Sequence, residues 1–131
     1  MKAIILAAGI ASRLRPLTND RPKCLLKIGN RSLLERTIDA LLENNIREIV
    51  IVTGYLHEML ESFVQTRYPS LSIKFIRNEL YASTNNIYSL WLALPEVLHE
   101  KEIILLDSDI LFDPLIIKIL QDASYDNCLA L

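Results

Sequence analysis

The chain has 131 residues, 51% of them hydrophobic and 23% charged, with a net charge of −2. That length fits one domain with a sizeable core, and no apolar run approaches the roughly 20 residues of a membrane span, which excludes membrane insertion by a helix. The acidic balance argues against nucleic acid as a partner, and two cysteines, Cys24 and Cys128, cannot build a disulfide framework, so a reducing cytoplasm is the expected setting.

Lys2–Ala7 (KAIILA) is a short apolar run bounded by Gly9 and predicts a buried strand. It flows into loop residues without a small-residue cleavage pattern, so it does not read as a signal peptide. Residues 8–29 form a long connection containing Pro16 and Pro22. Loops of that length in compact domains are usually functional or disordered. Ser32 and Glu35 make a capping-box pair, and Leu33, Leu34, Ile38, Leu41 and Leu42 then recur at helical spacing up to about Asn44. Glu48–Thr53 (EIVIVT) is rich in β-branched residues and predicts a second buried strand, stopped by Gly54. Leu56–Arg67 follows as a helix, with Leu56, Met59, Leu60, Phe63 and Val64 on one face.

Ser72–Arg77 predicts a third strand, and Asn85–Leu94 a short helix ended by Pro95, with Trp91 and Leu94 read as core. Ile103–Leu106 predicts a fourth strand, running into Asp107-Ser108-Asp109. Asp113 reads as an N-cap with Pro114 at the first helical position, and Leu115, Ile116, Ile119 and Leu120 are expected to face inward. Cys128–Leu131 looks like the start of a fifth strand. Such a bare apolar ending leaves an unpaired edge, so the chain reads as a piece of a longer protein. Strands alternating with helices predict an α/β fold, a three-layer α/β/α sandwich with a mostly parallel sheet, incomplete at its C-terminus. Ligands in such folds collect at the carboxyl ends of the strands, where the strand order reverses. The loops after Ala7, Thr53, Arg77 and Leu106 leave such ends.

Charge is unevenly distributed. Positions 1–36 carry eight basic residues against Asp20 and Glu35, whereas the remainder carries six against fourteen acidic ones. The basic stretch fits either an anionic ligand held in one place or an ordinary solvated loop. Gly9 directly follows the first strand, where small residues let backbone amides approach phosphate oxygens. Ala11 and Leu14 stand where the dinucleotide fingerprint needs glycine, and no Gly-Lys-Ser/Thr follows, so neither that motif nor a Walker loop is present. Arg13 offers a bidentate fork and Lys23 a compact charge, a suitable pair for a polyphosphate. Asp107 and Asp109 end the fourth strand at i and i+2, and hard carboxylate ligands of this kind suit Mg²⁺. His57-Glu58, His99, Ser12 and Cys24 lack the partners of a zinc site or a catalytic nucleophile, and Cys24 reads as a small buried thiol.

Leu6-Ala7-Ala8-Gly9-Ile10-Ala11-Ser12-Arg13-Leu14-Arg15-Pro16-Leu17-Thr18, followed by Pro22-Lys23-Cys24-Leu25-Leu26, resembles the signature of nucleotidyltransferases acting on sugar phosphates and related phosphomonoesters. That signature reads L-A-A-G-x-G-x-R-L-x-P-L-T with a later P-K-x-L. Val52-Thr53-Gly54-Tyr55 and Asp107-Ser108-Asp109 fall where the family pattern places them. Ala11 replaces the second glycine, which requires an αR or β backbone there or slight strain. Within the family, Asn78-Glu79-Leu80-Tyr81 and Asn85-Asn86-Ile87-Tyr88-Ser89-Leu90 most resemble the bacterial CTP:phosphocholine cytidylyltransferases.

The resemblance implies a Rossmann-like sheet of the nucleotide-diphospho-sugar transferase type, with residues 1–131 as the nucleotide-binding part. It further implies that Ala8, Gly9 and Ser12 hold the nucleotide, that Arg13 and Lys23 bind its phosphates, and that Asn78, Tyr81, Asn85, Asn86 and Ser89 lie near base and ribose. Asp109, with Asp107 nearby, would hold Mg²⁺. The implied reaction is Mg²⁺-dependent transfer of CMP from CTP to a small phosphomonoester such as phosphocholine, with pyrophosphate released. Two other readings stay open: a sugar-1-phosphate nucleotidyltransferase using UTP or dTTP, and a nucleotide-binding module without turnover. The family's enzymes are longer, and their second metal carboxylate and acceptor pocket lie mostly outside the part matched here.

Overall fold

The continuous apolar runs Lys2–Ala7 and Glu48–Thr53 take the centre of a sheet because both of their faces are covered. In the computed structural model, which describes residues 1–130, the elements in chain order are β1 (Lys2–Ala7), β2 (Lys27–Ile28), β3 (Arg31–Ser32), α1 (Leu33–Glu43), β4 (Glu48–Thr53), α2 (His57–Arg67), β5 (Ser72–Arg77), α3 (Asn86–Ala93), β6 (Ile103–Asp107) and α4 (Leu115–Asp122). The main sheet has the order β5-β4-β1-β6 with every pair parallel. The register aligns Ala7 with Thr53, Thr53 with Arg77 and Leu6 with Asp107, so all four carboxyl ends finish at one rim.

Side chains alternate across β1. Ala3, Ile5 and Ala7 face a core built with Leu34, Ile38 and Leu41 of α1, Leu60 and Val64 of α2, and Ile117 of α4. Ile4 and Leu6 face the opposite core under Leu90 and Ala93 of α3 and under Val97. The result is the expected three-layer α/β/α arrangement. The chain runs outward from β1 through β4 to β5, then crosses back to place β6 on the other side of β1. The strand order therefore reverses between β1 and β6, and that rim is where a ligand crevice belongs.

Several local expectations are refined. The capping box of α1 is present, with the Glu35 amide donating to Ser32 Oγ at 3.2 Å and the Ser32 amide donating to Glu35 Oε2 at 2.7 Å. The long connection is ordered by 3-10 turns at Ser12–Leu14 and Lys23–Leu25 and by the β2–β3 hairpin. That hairpin turns at Gly29-Asn30, with Gly29 at φ +68°. The Asp113 carboxylate accepts from the Leu115 amide at 2.9 Å, but Pro114 holds the N-cap position of α4; the fully buried residue of the helix is Ile117, while Leu115 and Ile119 are each 60% exposed. Of the other two residues expected inward, Leu120 packs against the core and Ile116 is half-buried. Trp91 and Leu94 are not core, since only one side of α3 meets the sheet and Trp91 is 60% exposed. Cys128–Ala130 form no strand, and Leu131, the last residue of the expected one, lies outside the described residues.

Candidate functional site

At the reversal between β1 and β6 lies a cavity of about 300 Å³, lined by residues from both strand ends and from the long loop. Gly9, Ala11, Arg13 and Lys23 reach it from the loop, Asp107 and Asp109 from the end of β6, and Asn86 from the first turn of α3. The Ser108 amide donates to the Leu6 carbonyl at 3.2 Å, which ties the acidic turn to β1. Basic and acidic groups meet here directly: Lys23 Nζ donates to Asp109 Oδ2. Asn86 Nδ2 donates to Asp107 Oδ1 at 3.0 Å and so orients the second carboxylate.

The loop supplies donors as well as charge. Its internal backbone hydrogen bonds begin with the Leu14 amide, which donates to Ala11 at 3.0 Å. Among the described residues, the amides of Gly9, Ile10, Ala11, Ser12 and Arg13 donate to no backbone carbonyl outside the strands and helices. A run of such amides is an anion-binding concavity. Ala11 sits at φ 52°, ψ 44°, so the left-handed backbone suited to glycine is kept despite the methyl group, and the strained alternative is the one realised. Gly9 is open, with nothing within 4 Å of where a Cβ would stand.

The carboxylates fit a divalent cation. Asp109 already draws a cation, the Lys23 ammonium, and Asp107 opens into the same cavity. Among the described residues no three His, Cys, Asp or Glu side chains converge on one point. Asp107 and Asp109 are thus the two hard oxygen donors this cavity could offer a cation such as Mg²⁺, whose shell would need other ligands to complete it. Cys24 also lines the cavity, but burial pushes its thiol up to about 12, which keeps it protonated and unreactive at neutral pH.

The expected base-side residues are divided by the structure. Asn86 lines the cavity. Asn85 caps α3, its Oδ1 accepting from the amides of Ile87 at 3.1 Å and Tyr88 at 3.3 Å, and it does not line the cavity. Asn78 and Ser89 are buried and bonded to each other, Nδ2 to Oγ at 3.0 Å; Asn78 also donates to Thr84 and accepts from the Leu80 amide. These two shape the β5–α3 connection and do not line the cavity. Ala8 is buried, with its carbonyl accepting from the Tyr55 amide; Ser12 is exposed beside the lining residues, and half-buried Tyr81 packs against Gly54. The loop at Gly54-Tyr55 was marked in the sequence by its place at the carboxyl end of β4 and by the family pattern, but its packing against the Ala8 and Thr18 carbonyls was not.

Loop amides, two basic side chains and two carboxylates gather around the switch point of a parallel sheet, where ligands of such folds collect. The chain belongs to the nucleotidyl transferase family, whose pattern matches residues 2–128. It is 41% identical over 97 residues to a choline-phosphate cytidylyltransferase of Streptococcus pneumoniae, covering 74% of this chain and 41% of that protein. It is 47% identical over 93 residues to a choline-phosphate cytidylyltransferase of Haemophilus influenzae, covering 71% of this chain and 38% of that one. The solved structure of the CTP:phosphocholine cytidylyltransferase from Streptococcus pneumoniae superposes with a TM-score of 0.76 and 38% identity, over 87% of this chain and 47% of the other. The chain thus spans less than half the length of each of these relatives. Among the described residues no helix is long and apolar enough to cross a membrane.

Proposed function

We propose that the protein carrying this chain is a Mg²⁺-dependent cytidylyltransferase that transfers CMP from CTP to a small phosphomonoester, phosphocholine foremost. The observation that supports this reading most is the convergence of Arg13, Lys23, Asp107 and Asp109 on one cavity beside the unpaired loop amides. Similarity to cytidylyltransferases supports cytosine as the base. Asn86, whose amide holds Asp107, offers its carbonyl to the exocyclic amino group of cytosine, which uracil lacks. The two unpaired cysteines, one buried, agree with a reducing cytoplasmic setting.

No protein nucleophile is needed. A phosphomonoester has a second pKa of ~6 and is already largely dianionic at pH 7. Its oxygen forms a new bond to the α-phosphorus of CTP while the α–β bridging bond breaks, and pyrophosphate leaves with the electron pair. Lys23, Arg13 and the loop amides hold and neutralise the departing phosphates, so catalysis is positioning plus charge stabilisation. Asp109 and Asp107 would hold Mg²⁺, which supplies polarisation of the phosphoryl oxygens when bound.

Phosphorus NMR with CTP, Mg²⁺ and a panel of phosphomonoesters tests the reading. The expected result is stoichiometric pyrophosphate and a new phosphoanhydride signal with a small phosphomonoester. Preference for UTP or dTTP with a sugar 1-phosphate would move the assignment to the second enzyme class. Tight nucleotide binding with no pyrophosphate from any acceptor would leave a binding module.

A further inference from the structure

The loop between β4 and α2 lies on the back of the phosphate loop and holds it at both ends. At the near end, the Tyr55 amide donates to the Ala8 carbonyl at 3.1 Å. Gly54 makes this approach possible: a Cβ there would stand 2.7 Å from the Ala8 carbonyl oxygen and 2.8 Å from Tyr81 Cβ. At the far end, the Tyr55 hydroxyl lies 3.0 Å from the carbonyl of Thr18 and 3.0 Å from that of Asn19, sharing one proton between them. Thr18 is fully buried and passes the constraint inward, its Oγ1 donating to the Ala11 carbonyl at 3.0 Å. Ala11 is the left-handed residue that turns the chain into Ser12 and Arg13.

We infer that Tyr55 is a positioning residue for polyphosphate binding, acting through Thr18 and Ala11 to keep the loop amides and Arg13 aimed at the cavity. This rests on the phosphate-binding reading of residues 9–13 given above. Tyr55 is not among the cavity-lining residues, so its effect is on the shape of the loop and not on any contact with ligand. The relay has two hydroxyls, each of which can be removed with little change of shape. Without it, the left-handed alanine keeps only the Leu14 amide on its carbonyl, and the loop is freer to relax toward an ordinary turn.

The test uses Tyr55→Phe and Thr18→Val in the protein carrying this chain, with amide hydrogen exchange and with calorimetric binding of CTP, tripolyphosphate and cytidine. Each variant is expected to speed exchange within residues 9–19 and to weaken CTP and tripolyphosphate alike by roughly threefold to tenfold, the scale of one neutral hydrogen bond. Cytidine affinity and the acceptor KM should not move. The double variant should lose less than the product of the single losses, because both hydroxyls serve one relay. Unchanged exchange and unchanged tripolyphosphate affinity in Tyr55→Phe would overturn the inference. So would faster exchange across the whole chain with a lowered thermal midpoint and an intact affinity, which is the signature of a merely structural tyrosine. Failure of the unsubstituted protein to bind CTP would instead reject the nucleotide reading, with the exchange data still deciding whether Tyr55 orders the loop.

Discussion

Lys23 and Asp109 lie 86 positions apart in sequence, yet the lysine ammonium donates to the aspartate carboxylate at the mouth of the cavity. The pair joins the basic loop to the acidic end of β6. Both side chains remain about one-third exposed, at 33% and 37%, so a ligand can reach each of them. On the proposed reading, a triphosphate would take up Lys23 and its cation Asp109.

Lys23→Ala is expected to weaken CTP binding more than CMP binding. A charge-assisted hydrogen bond contributes about 1.5–3 kcal/mol, so CTP should lose roughly 10- to 100-fold in affinity. Calorimetric titration of both nucleotides makes the comparison. Equal losses would place Lys23 away from the β and γ phosphates.

Gly54 and Gly9 should respond oppositely to alanine. At Gly54 the new methyl meets the Ala8 carbonyl oxygen at 2.7 Å, and the backbone of two loops must shift. Overpacking of this kind costs about 1–3 kcal/mol. At Gly9 the methyl meets nothing within 4 Å, so stability should hold. Denaturant unfolding of the two variants measures the difference.

Alanine at Asn85 and at Asn86 should separate an effect on stability from one on specificity. Asn85→Ala removes the cap of α3 and should cost about 1 kcal/mol, largely restored in Asn85→Asp. Asn86→Ala should leave the fold intact and relax the preference for CTP over UTP, as read from competition between the two. An unchanged base ratio would show that recognition comes from elsewhere.

Glu35 ties α1 to α2. Burial pushes its pKa up, but the Ser32 amide and hydroxyl and the Arg67 guanidinium outweigh it and hold the carboxyl below its ordinary value. The stabilisation is therefore complete above the unfolded value of about 4.3 and is lost as pH falls through the lower folded value. Glu35→Gln should reduce stability at pH 7 by about 1–3 kcal/mol, the cost of weakening bonds to a buried charge. It should also flatten the acid limb of the stability profile, measured by urea unfolding from pH 3 to 7.

How much of this was legible depends on what each residue answers to. β1 and β4 are buried on both faces, so their unbroken apolar runs were readable directly, as was the Ser32–Glu35 box, whose partners are three positions apart. Lys23, Asp107 and Asp109 were readable as chemistry, but their meeting depends on the crossover that puts β6 beside β1. Asn78 and Ser89 carry the same groups as a ligand-binding pair, and only packing reveals that they bond each other. Ile117 is buried and Trp91 exposed, against expectation, because the side of a short helix that faces the sheet is set by tertiary packing and not by its own sequence. The β2–β3 hairpin was marked by Gly29-Asn30 but hidden inside a segment dominated by loop chemistry.

The account stands or falls on the cavity between β1 and β6 as a site for a nucleoside triphosphate with its metal, and Asp109→Asn tests it most directly. Asp109 is exposed and outside the core, so the variant should fold as the parent does. CTP affinity and turnover are to be measured with and without Mg²⁺ in the protein carrying this chain. The predicted result is loss of the Mg²⁺-dependent gain in CTP affinity and a fall in turnover of about 10²- to 10³-fold, the scale of a removed electrostatic stabiliser. Near-parental turnover with an undiminished Mg²⁺ effect would contradict it.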